Sequence, residues 1–279
     1  MFWHTSRREI PLDTPLVMAI LNVTPNSFSD GGEFLSIDNA LNHAEKMIAE
    51  GADIIDIGGE STRPGSQQVP ADEEIRRVVP VIESIVRRFD TPLSIDTSKS
   101  EVARRSIDAG AEIINDIAGL RWDERIADIA AASGAGIVLM HSRGSFEAMH
   151  SQERVDDIVG EVRHGLEQSI KTAKAHNVRD EQIALDIGIG FGKTFEQNLE
   201  LLANLGRITS EFEVFPMLIG TSRKSFIGKI LDDAPPSERL AGSLATALFA
   251  VSKGANIIRV HDVKETVSAI RVLRQIDGV

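Results

Sequence analysis

The chain has no cysteine among its 279 residues. That excludes a disulfide framework and a thiolate-ligated zinc site. Positive charge is also short: 42 acidic residues face 30 lysines and arginines, for a formal net charge of −12. Such a balance argues against a general nucleic-acid binder. An anionic ligand would have to be attracted locally, against the field of the whole protein. No apolar run approaches the ~20 residues of a membrane span. The opening "MFWHTSRREIPLD" lacks the apolar core of a secretion signal. A cytoplasmic globular protein is expected, with neither membrane nor nucleic acid as a partner. No low-complexity stretch or long linker divides the chain. One domain over residues 1–279 is expected, with residues 1–14 as an N-terminal extension that forms a strand or hairpin.

Short apolar runs rich in valine, isoleucine and leucine recur: "VMAILNV", "DIIDIG", "PLSIDT", "EIINDI", "GIVLMH", "IALDIG", "PMLIGTS" and "NIIRVH". Between them lie stretches of helical period, such as "IDNALNHAEKMIAEG" and "DEEIRRVVPVIESIVRRF". Near-continuous apolar strands alternating with amphipathic helices indicate an α/β fold with a parallel sheet covered by helices. Eight such units in a chain of 279 residues fit a (β/α)8 TIM barrel. A chain this long buries a large core without metal or disulfide support. The competing doubly wound sheet usually carries a glycine fingerprint after its first strand, and "NVTPNSFSDGG" is not one.

The apolar runs close on polar residues: Asn22, Asp56, Asp96, Asn115, His141, Asp186, Ser222, and then Arg259 with His261. In a parallel barrel the C-terminal strand ends open on one face, and that face holds the active site. A single strand-end Asp or Asn also serves as an N-cap for the next helix. A set of caps would not need carboxylate, carboxamide, guanidinium and imidazole together. The mixture favours a polar small-molecule site.

Two motifs fail on spacing. "GTSRKSFIGKI", residues 220–230, starts like a nucleophile elbow, but Lys224 stands where G-x-S-x-G needs glycine. "IGIGFGKT" ends like a Walker loop, but Ile187 holds the position of its first glycine. The glycines at 188, 190 and 192 read as a strand-to-helix loop needing positive φ or close backbone approach. There is no H-E-x-x-H, and the seven histidines form no cluster. Any divalent ion would be a hard one, held by oxygen ligands and by substrate phosphate.

The remaining polar residues suit an anion beside a nitrogen heterocycle. Hydroxyls with Arg223 and Lys224 precede an apparent helix, a setting that favours anions. Arg259 and His261 lie two apart on one strand and project to one side. They suit a phosphate or pyrophosphate; a structural ion pair with Asp262 is the alternative. "ESTRPG" adds Arg63, and "NVTPNSFSDGG" adds Phe28. Two such loops beside one opening suggest a cover over a ligand. Asp96 and Asp186 suit an amino-pyrimidinone edge, because a carboxylate accepts two parallel N–H bonds; the Asn115 carboxamide supplies donor and acceptor.

"ILNVTPNSFSDGG", "DIGGESTRPG", "SIDTSK", "IINDI", "DIGIGFGKT", "GTSRKSFIG" and "IIRVHDVKE" resemble the motifs of the dihydropteroate synthase family, in that family's order. The resemblance runs from about residue 16 to about residue 272. It implies a pterin-binding (β/α)8 barrel, usually a homodimer, acting in folate biosynthesis and targeted by sulfonamides. The implied reaction joins 7,8-dihydropterin-6-ylmethyl diphosphate to p-aminobenzoate, releasing 7,8-dihydropteroate and pyrophosphate with the help of Mg2+.

By the same resemblance, Asp96, Asn115, Asp186 and Lys224 match pterin-binding residues, and Met140 a residue packed on the ring. Asn22 matches the residue associated with Mg2+ and diphosphate. Arg63, Arg259 and His261 match diphosphate contacts. Thr62, Pro64, Phe28, Phe191 and Ser225 match positions around p-aminobenzoate. Asp96, Lys224, Arg259 and His261 are the implied catalytic set, and Arg223 has no assigned role. Two positions depart from the pattern. Many members carry proline where this chain has Ile187, and Met-Gln where it has Ser142-Arg143. A corrinoid-linked pterin methyltransferase domain and a non-catalytic pterin-binding barrel are the alternatives of other classes.

Overall fold

A computed structural model describes residues 1–24, 33–62, 65–149 and 153–277. Phe28, Arg63 and Pro64 lie outside them. The first strands, β1 (Phe2–His4) and β2 (Glu9–Pro11), pair antiparallel as the expected hairpin. The strands that follow are β3 (Leu16–Asn22), β4 (Ile54–Gly58), β5 (Leu93–Asp96), β6 (Ile113–Asp116), β7 (Gly136–Met140), β8 (Ile183–Asp186), β9 (Met217–Ile219) and β10 (Ile257–Val260). They close in the order β10-β3-β4-β5-β6-β7-β8-β9, every pair parallel. This is the (β/α)8 barrel expected of the alternating pattern.

The covering helices are α1 (Glu33–Ala49), α2 (Ala71–Val86), α3 (Ser100–Ala109), α4 (Arg125–Ser133), α5 (Ile158–Ala175), α6 (Phe195–Ala203), α7 (Leu205–Glu211), α8 (Ser225–Ile230), α9 (Leu240–Ser252) and α10 (Val263–Asp277). Their ends follow local chemistry. Asp157 caps α5 by accepting from the Gly160 N–H at 2.8 Å. Thr194 and Gln197 form a capping box at the start of α6. Asp72, Glu73 and Glu74 fill the first turn of α2, where the helix dipole favours negative charge.

Strand residues alternate between two cores. Ile55, Ile57, Ile95, Ile114, Ile137, Leu139, Ile183, Leu185 and Ile258 pack outward in the cluster shared with the helices. Residues of opposite parity, Met18, Ile54, Ile113, Val138, Ala184, Leu218 and Ile257, fill the barrel interior. Trp3, Ile10 and Leu12 of the N-terminal extension join this inner cluster and stop its lower end. Trp3 is fully buried, and its indole N–H donates to the Gln182 carbonyl at 2.8 Å. With the lower end plugged by apolar groups, polar inward residues have only the upper mouth to occupy.

Candidate active site

The same alternation aims the functional side chains. Two residues beyond Ile54 on β4 comes Asp56, and two beyond Ile257 on β10 comes Arg259. Asn115 follows Ile113, Met140 follows Val138, and Asp186 follows Ala184 in the same phase. All therefore point into the barrel, above the apolar layers. Asp96 ends β5, and backbone pairing sets Asn22 beside Gly58, Gly58 beside Asp96, and Asp96 beside Asn115. Gly58 lies between Asn22 and Asp96: a Cβ there would be in ordinary contact with Asp96 Cβ at 3.7 Å and Asn22 Oδ1 at 3.8 Å.

Arg259 is the electrostatic centre. Its Nε donates to Asp56 Oδ2 at 2.6 Å and its Nη2 to Asp96 Oδ2 at 2.5 Å. Asn115 Nδ2 donates to the same Asp56 oxygen at 3.1 Å. Asp56 is fully buried, and its other oxygen, Oδ1, has no partner among the described residues. Burial pushes the Asp96 carboxyl up to about 7 against the pull of Arg259, and Asp56, Glu74 and Glu60 push the same way. Burial alone would lower the Arg259 pKa, but Asp56 and Asp96 outweigh it and hold the guanidinium above its ordinary value. The Asp262 ion pair considered for Arg259 and His261 goes instead to Arg223, through Nε at 3.0 Å and Nη2 at 2.5 Å. That pair gives Arg223 a structural role. It ties the turn after β9 to the end of β10, with Arg223 itself at φ 59°.

Ser222 contacts His261 twice. Its Oγ accepts from the His261 backbone N–H at 3.2 Å and lies 3.1 Å from Nδ1. The two contacts hold the imidazole ring in place, and the His261 tautomer sets which of Oγ and Nδ1 donates. Ser222 is thus an orienting hydroxyl, in keeping with the failed elbow spacing.

On the other side of the mouth stand Asp186 and Lys224. Burial raises the Asp186 pKa, opposed chiefly by Lys224. Burial lowers Lys224 to about 8, opposed chiefly by Asp186. Lys224 Nζ donates to the Ile189 carbonyl and lies 4.5 Å from the centre of the Phe191 ring. Ser225 is exposed at the first position of α8, directly after Lys224. Thr62 is half-buried in the segment after β4. The start of that segment is pinned from below. Lys99 Nζ bridges Glu60 at 2.9 Å and Glu74 at 2.6 Å, and Arg77 donates to the Gly59 carbonyl at 2.9 Å.

The structure thus gathers Asn22, Asp96, Asn115, Met140, Asp186, Phe191, Lys224, Ser225, Arg259 and His261 around one opening. It adds residues to which the sequence gave no role: Asp56 beneath Arg259, and Lys193 beneath the loop after β8. Asp56 stood among the polar strand-end residues of the sequence, but nothing local marked Arg259 as its partner. Lys193 had no local signal, because two of its four contacts are to His141, just past the end of β7. The departures also have work. Arg121 Nη2 donates to Ser142 Oγ at 2.7 Å, and Arg143 Nη1 donates to the carbonyls of Glu153 at 2.7 Å and Gly192 at 2.9 Å.

A sequence profile described as "Pterin binding enzyme" matches residues 18–261. The dihydropteroate synthase of Escherichia coli K12 is 48% identical over 266 residues, spanning 95% of this chain and 92% of that protein. The dihydropteroate synthase of Yersinia pestis, solved with a sulfonamide drug complex, superposes with a TM-score of 0.92 at 43% identity, covering 100% of both chains. That of Xanthomonas albilineans, solved with 7,8-dihydropteroate, gives a TM-score of 0.89 at 40% identity and covers 99% of both. The polar mouth and these likenesses agree, and the chain belongs to the pterin-binding enzymes, in the dihydropteroate synthase family.

Proposed function

We infer that this chain transfers the pterinylmethyl group of 7,8-dihydropterin-6-ylmethyl diphosphate to p-aminobenzoate, yielding 7,8-dihydropteroate and pyrophosphate in folate biosynthesis. The observation that carries the reading is the meeting of Asp96 and Arg259 with Asp186 and Lys224 at the mouth of a barrel of this family. One pair suits a diphosphate beside a developing cation, the other a heterocycle edge.

In this reading Asp186, Asn115 and Lys224 bind the pterin edge by charge-assisted bonds. Met140, buried beside them, packs on the ring. Arg259 and His261, with Arg63, take the diphosphate oxygens and hold the charge that develops as the C–O bond breaks. The methylene then carries positive charge conjugated with the pterin, and ionised Asp96 stabilises it. The arylamine lone pair forms the C–N bond, and its proton leaves to solvent, so no strong base is required. Thr62, Phe191 and Ser225, with Phe28 and Pro64, are assigned to p-aminobenzoate.

Mg2+ is the assigned cofactor. Asn22 offers one neutral oxygen, and among the described residues no group of three or more His, Asp or Glu gathers as a metal cage. That donor set fits a hard cation whose other ligands are diphosphate oxygens and water. When bound, Mg2+ neutralises leaving-group charge.

The reading includes one domain over residues 1–279, with residues 1–14 as its plug. A homodimer is supported by α9, an apolar helix on which Phe249 is exposed. A cytoplasmic location is proposed, and no helix among the described residues is long and apolar enough to cross a membrane. The deciding experiment is pyrophosphate release from the pterin diphosphate with Mg2+. Release should depend on p-aminobenzoate and yield 7,8-dihydropteroate. Absence of that product would reject the reading.

A further inference from the structure

We propose that Lys193 is a positioning residue for the pterin pocket: its ammonium ties the loop of residues 187–194 to the end of β7, and that loop fixes the Lys224 side chain. The proposal rests on the assignment of Lys224 to the pterin.

Lys193 Nζ sits 2.9 Å from His141 Nδ1, 2.8 Å from the His141 carbonyl, 2.8 Å from the Gly188 carbonyl and 3.1 Å from the Phe191 carbonyl. None of these acceptors is a carboxylate. Enclosing a cation is costly unless its hydrogens are all used, and here they join carbonyls of two segments, His141 on one side and Gly188 and Phe191 on the other. The two segments approach so closely that a Cβ on Gly188, at φ +66°, would lie 1.8 Å from the His141 carbonyl oxygen. Burial holds the His141 imidazole neutral, with a pKa lowered to about 2, so Nδ1 stays an acceptor. Burial likewise pushes Lys193 well below the ordinary lysine value.

The upper side of the same loop touches Lys224 at successive residues. The Ile189 carbonyl accepts from its ammonium, and the Phe191 ring lies beneath it at 4.5 Å. Between them, a Cβ on Gly190 would fall 3.2 Å from Lys224 Cδ. Arg143 adds a second tie through the Gly192 carbonyl at 2.9 Å. The loop is therefore a rigid spacer with one lysine under it and another on it. Losing the lower ammonium releases the Gly188 and Phe191 carbonyls, which flank the Ile189 carbonyl that holds the upper one.

The test begins with Lys193→Met and the side-chain NMR titration of Lys224 in protein carrying 13C-labelled lysine. Burial sets this titration first, then Asp186, Arg259 and Asp96, none of which is altered. The Lys193 charge also opposes Lys224, so the rise that counts is the one in Lys193→Met beyond that in Lys193→Gln, which loses the charge but keeps an amide donor. The expected result is a further rise of roughly one pKa unit toward the ordinary lysine value as water reaches the loosened ammonium. An equal Lys224 titration in the two variants overturns the proposal. The second readout is pterin affinity by calorimetry in the parent, Lys193→Met, Lys224→Ala and the double variant. Lys193→Met should weaken binding about tenfold in the parent and less than twofold in the Lys224→Ala background, since coupled residues are non-additive. Equal losses in both backgrounds would make Lys193 general scaffolding and overturn the inference. If Lys224→Ala alone leaves pterin affinity intact, the pocket assignment fails, and the NMR titration still decides whether Lys193 fixes Lys224. Should Lys193→Met not fold, Lys193→Gln is judged by the same calorimetric comparison.

Discussion

Arg259 spans two carboxylates, with Nε 2.6 Å from Asp56 and Nη2 2.5 Å from Asp96. Asp56 is fully buried and keeps one oxygen without a partner among the described residues. Its charge is tolerable only because the guanidinium and the Asn115 amide share the other oxygen. Substrate diphosphate must compete with both carboxylates for the same cation.

Arg259→Met therefore leaves a buried carboxylate uncompensated. It should destabilise the unliganded protein by about 3–5 kcal/mol. Adding Asp56→Asn removes the orphaned charge and should return part of that loss. Urea unfolding of the two variants measures both steps. A loss under about 1 kcal/mol for Arg259→Met, or no recovery in the double variant, would contradict the clamp.

Asp96 and Asp116 should each contribute less stability to the unliganded protein as pH rises from 5 to 8, while His141, lowered to about 2, contributes in the opposite sense. Burial raises Asp96 to about 7 and Asp116 to about 6, the first against Arg259 and the second against the N–H groups of Leu120 and Ala118. Each holds its proton more tightly folded than unfolded. The stabilisation is full below the ordinary carboxylate pKa and lost as pH climbs through about 6 and about 7. The difference in thermal midpoint between the parent and Asp96→Asn isolates the Asp96 contribution, and the parent should lose ground to the variant as pH rises across that range. A difference that stays constant, or that moves in the parent's favour, would show that the Asp96 carboxyl is not raised.

The barrel was legible because its strands are short apolar runs and its polar residues sit at the strand ends. The inward phase of Asp186, Asn115 and Arg259 follows from period two alone. What the sequence hid are pairings between distant residues. Arg223 and Asp262 are joined by a bidentate contact across 39 positions, and nothing local marks either as the other's partner. Lys193 sat inside a string dismissed as a failed Walker loop, and the dismissal was sound. Its real acceptors on His141 lie 52 positions away and become visible only when β7 and β8 pair. The roles of Phe28, Arg63 and Pro64 remain with the resemblance and with the proposal built on it.

Gly188→Ala isolates the loop that carries Phe191. The native φ is +66°, and the added methyl would meet the His141 carbonyl oxygen at 1.8 Å. Left-handed strain and overpacking together should cost about 2–5 kcal/mol. The apparent KM for p-aminobenzoate should rise in protein that remains folded, because Phe191 moves with the loop. An unchanged thermal midpoint would mean the two segments are not in close contact.

Asp96→Asn should move two affinities in opposite directions. In the unliganded protein this carboxylate holds the Arg259 guanidinium at 2.5 Å. An incoming anion must share that guanidinium and also face the repulsion of Asp96. Two unit charges about 6 Å apart repel by about 3 kcal/mol at an effective dielectric of 20, and water in the open mouth reduces this further. Removing the charge should tighten inorganic pyrophosphate binding by roughly tenfold, or about 1.4 kcal/mol. The same change takes a charge-assisted acceptor from the pterin and a counter-charge from the cationic methylene. Pterin affinity should fall, and the chemical step should slow more than affinity alone explains. Calorimetry with pyrophosphate and with a pterin, beside single-turnover product formation, separates the three effects. If both ligands weaken together, Asp96 supports the site only by keeping its shape, and its assigned place beside the reacting carbon is wrong.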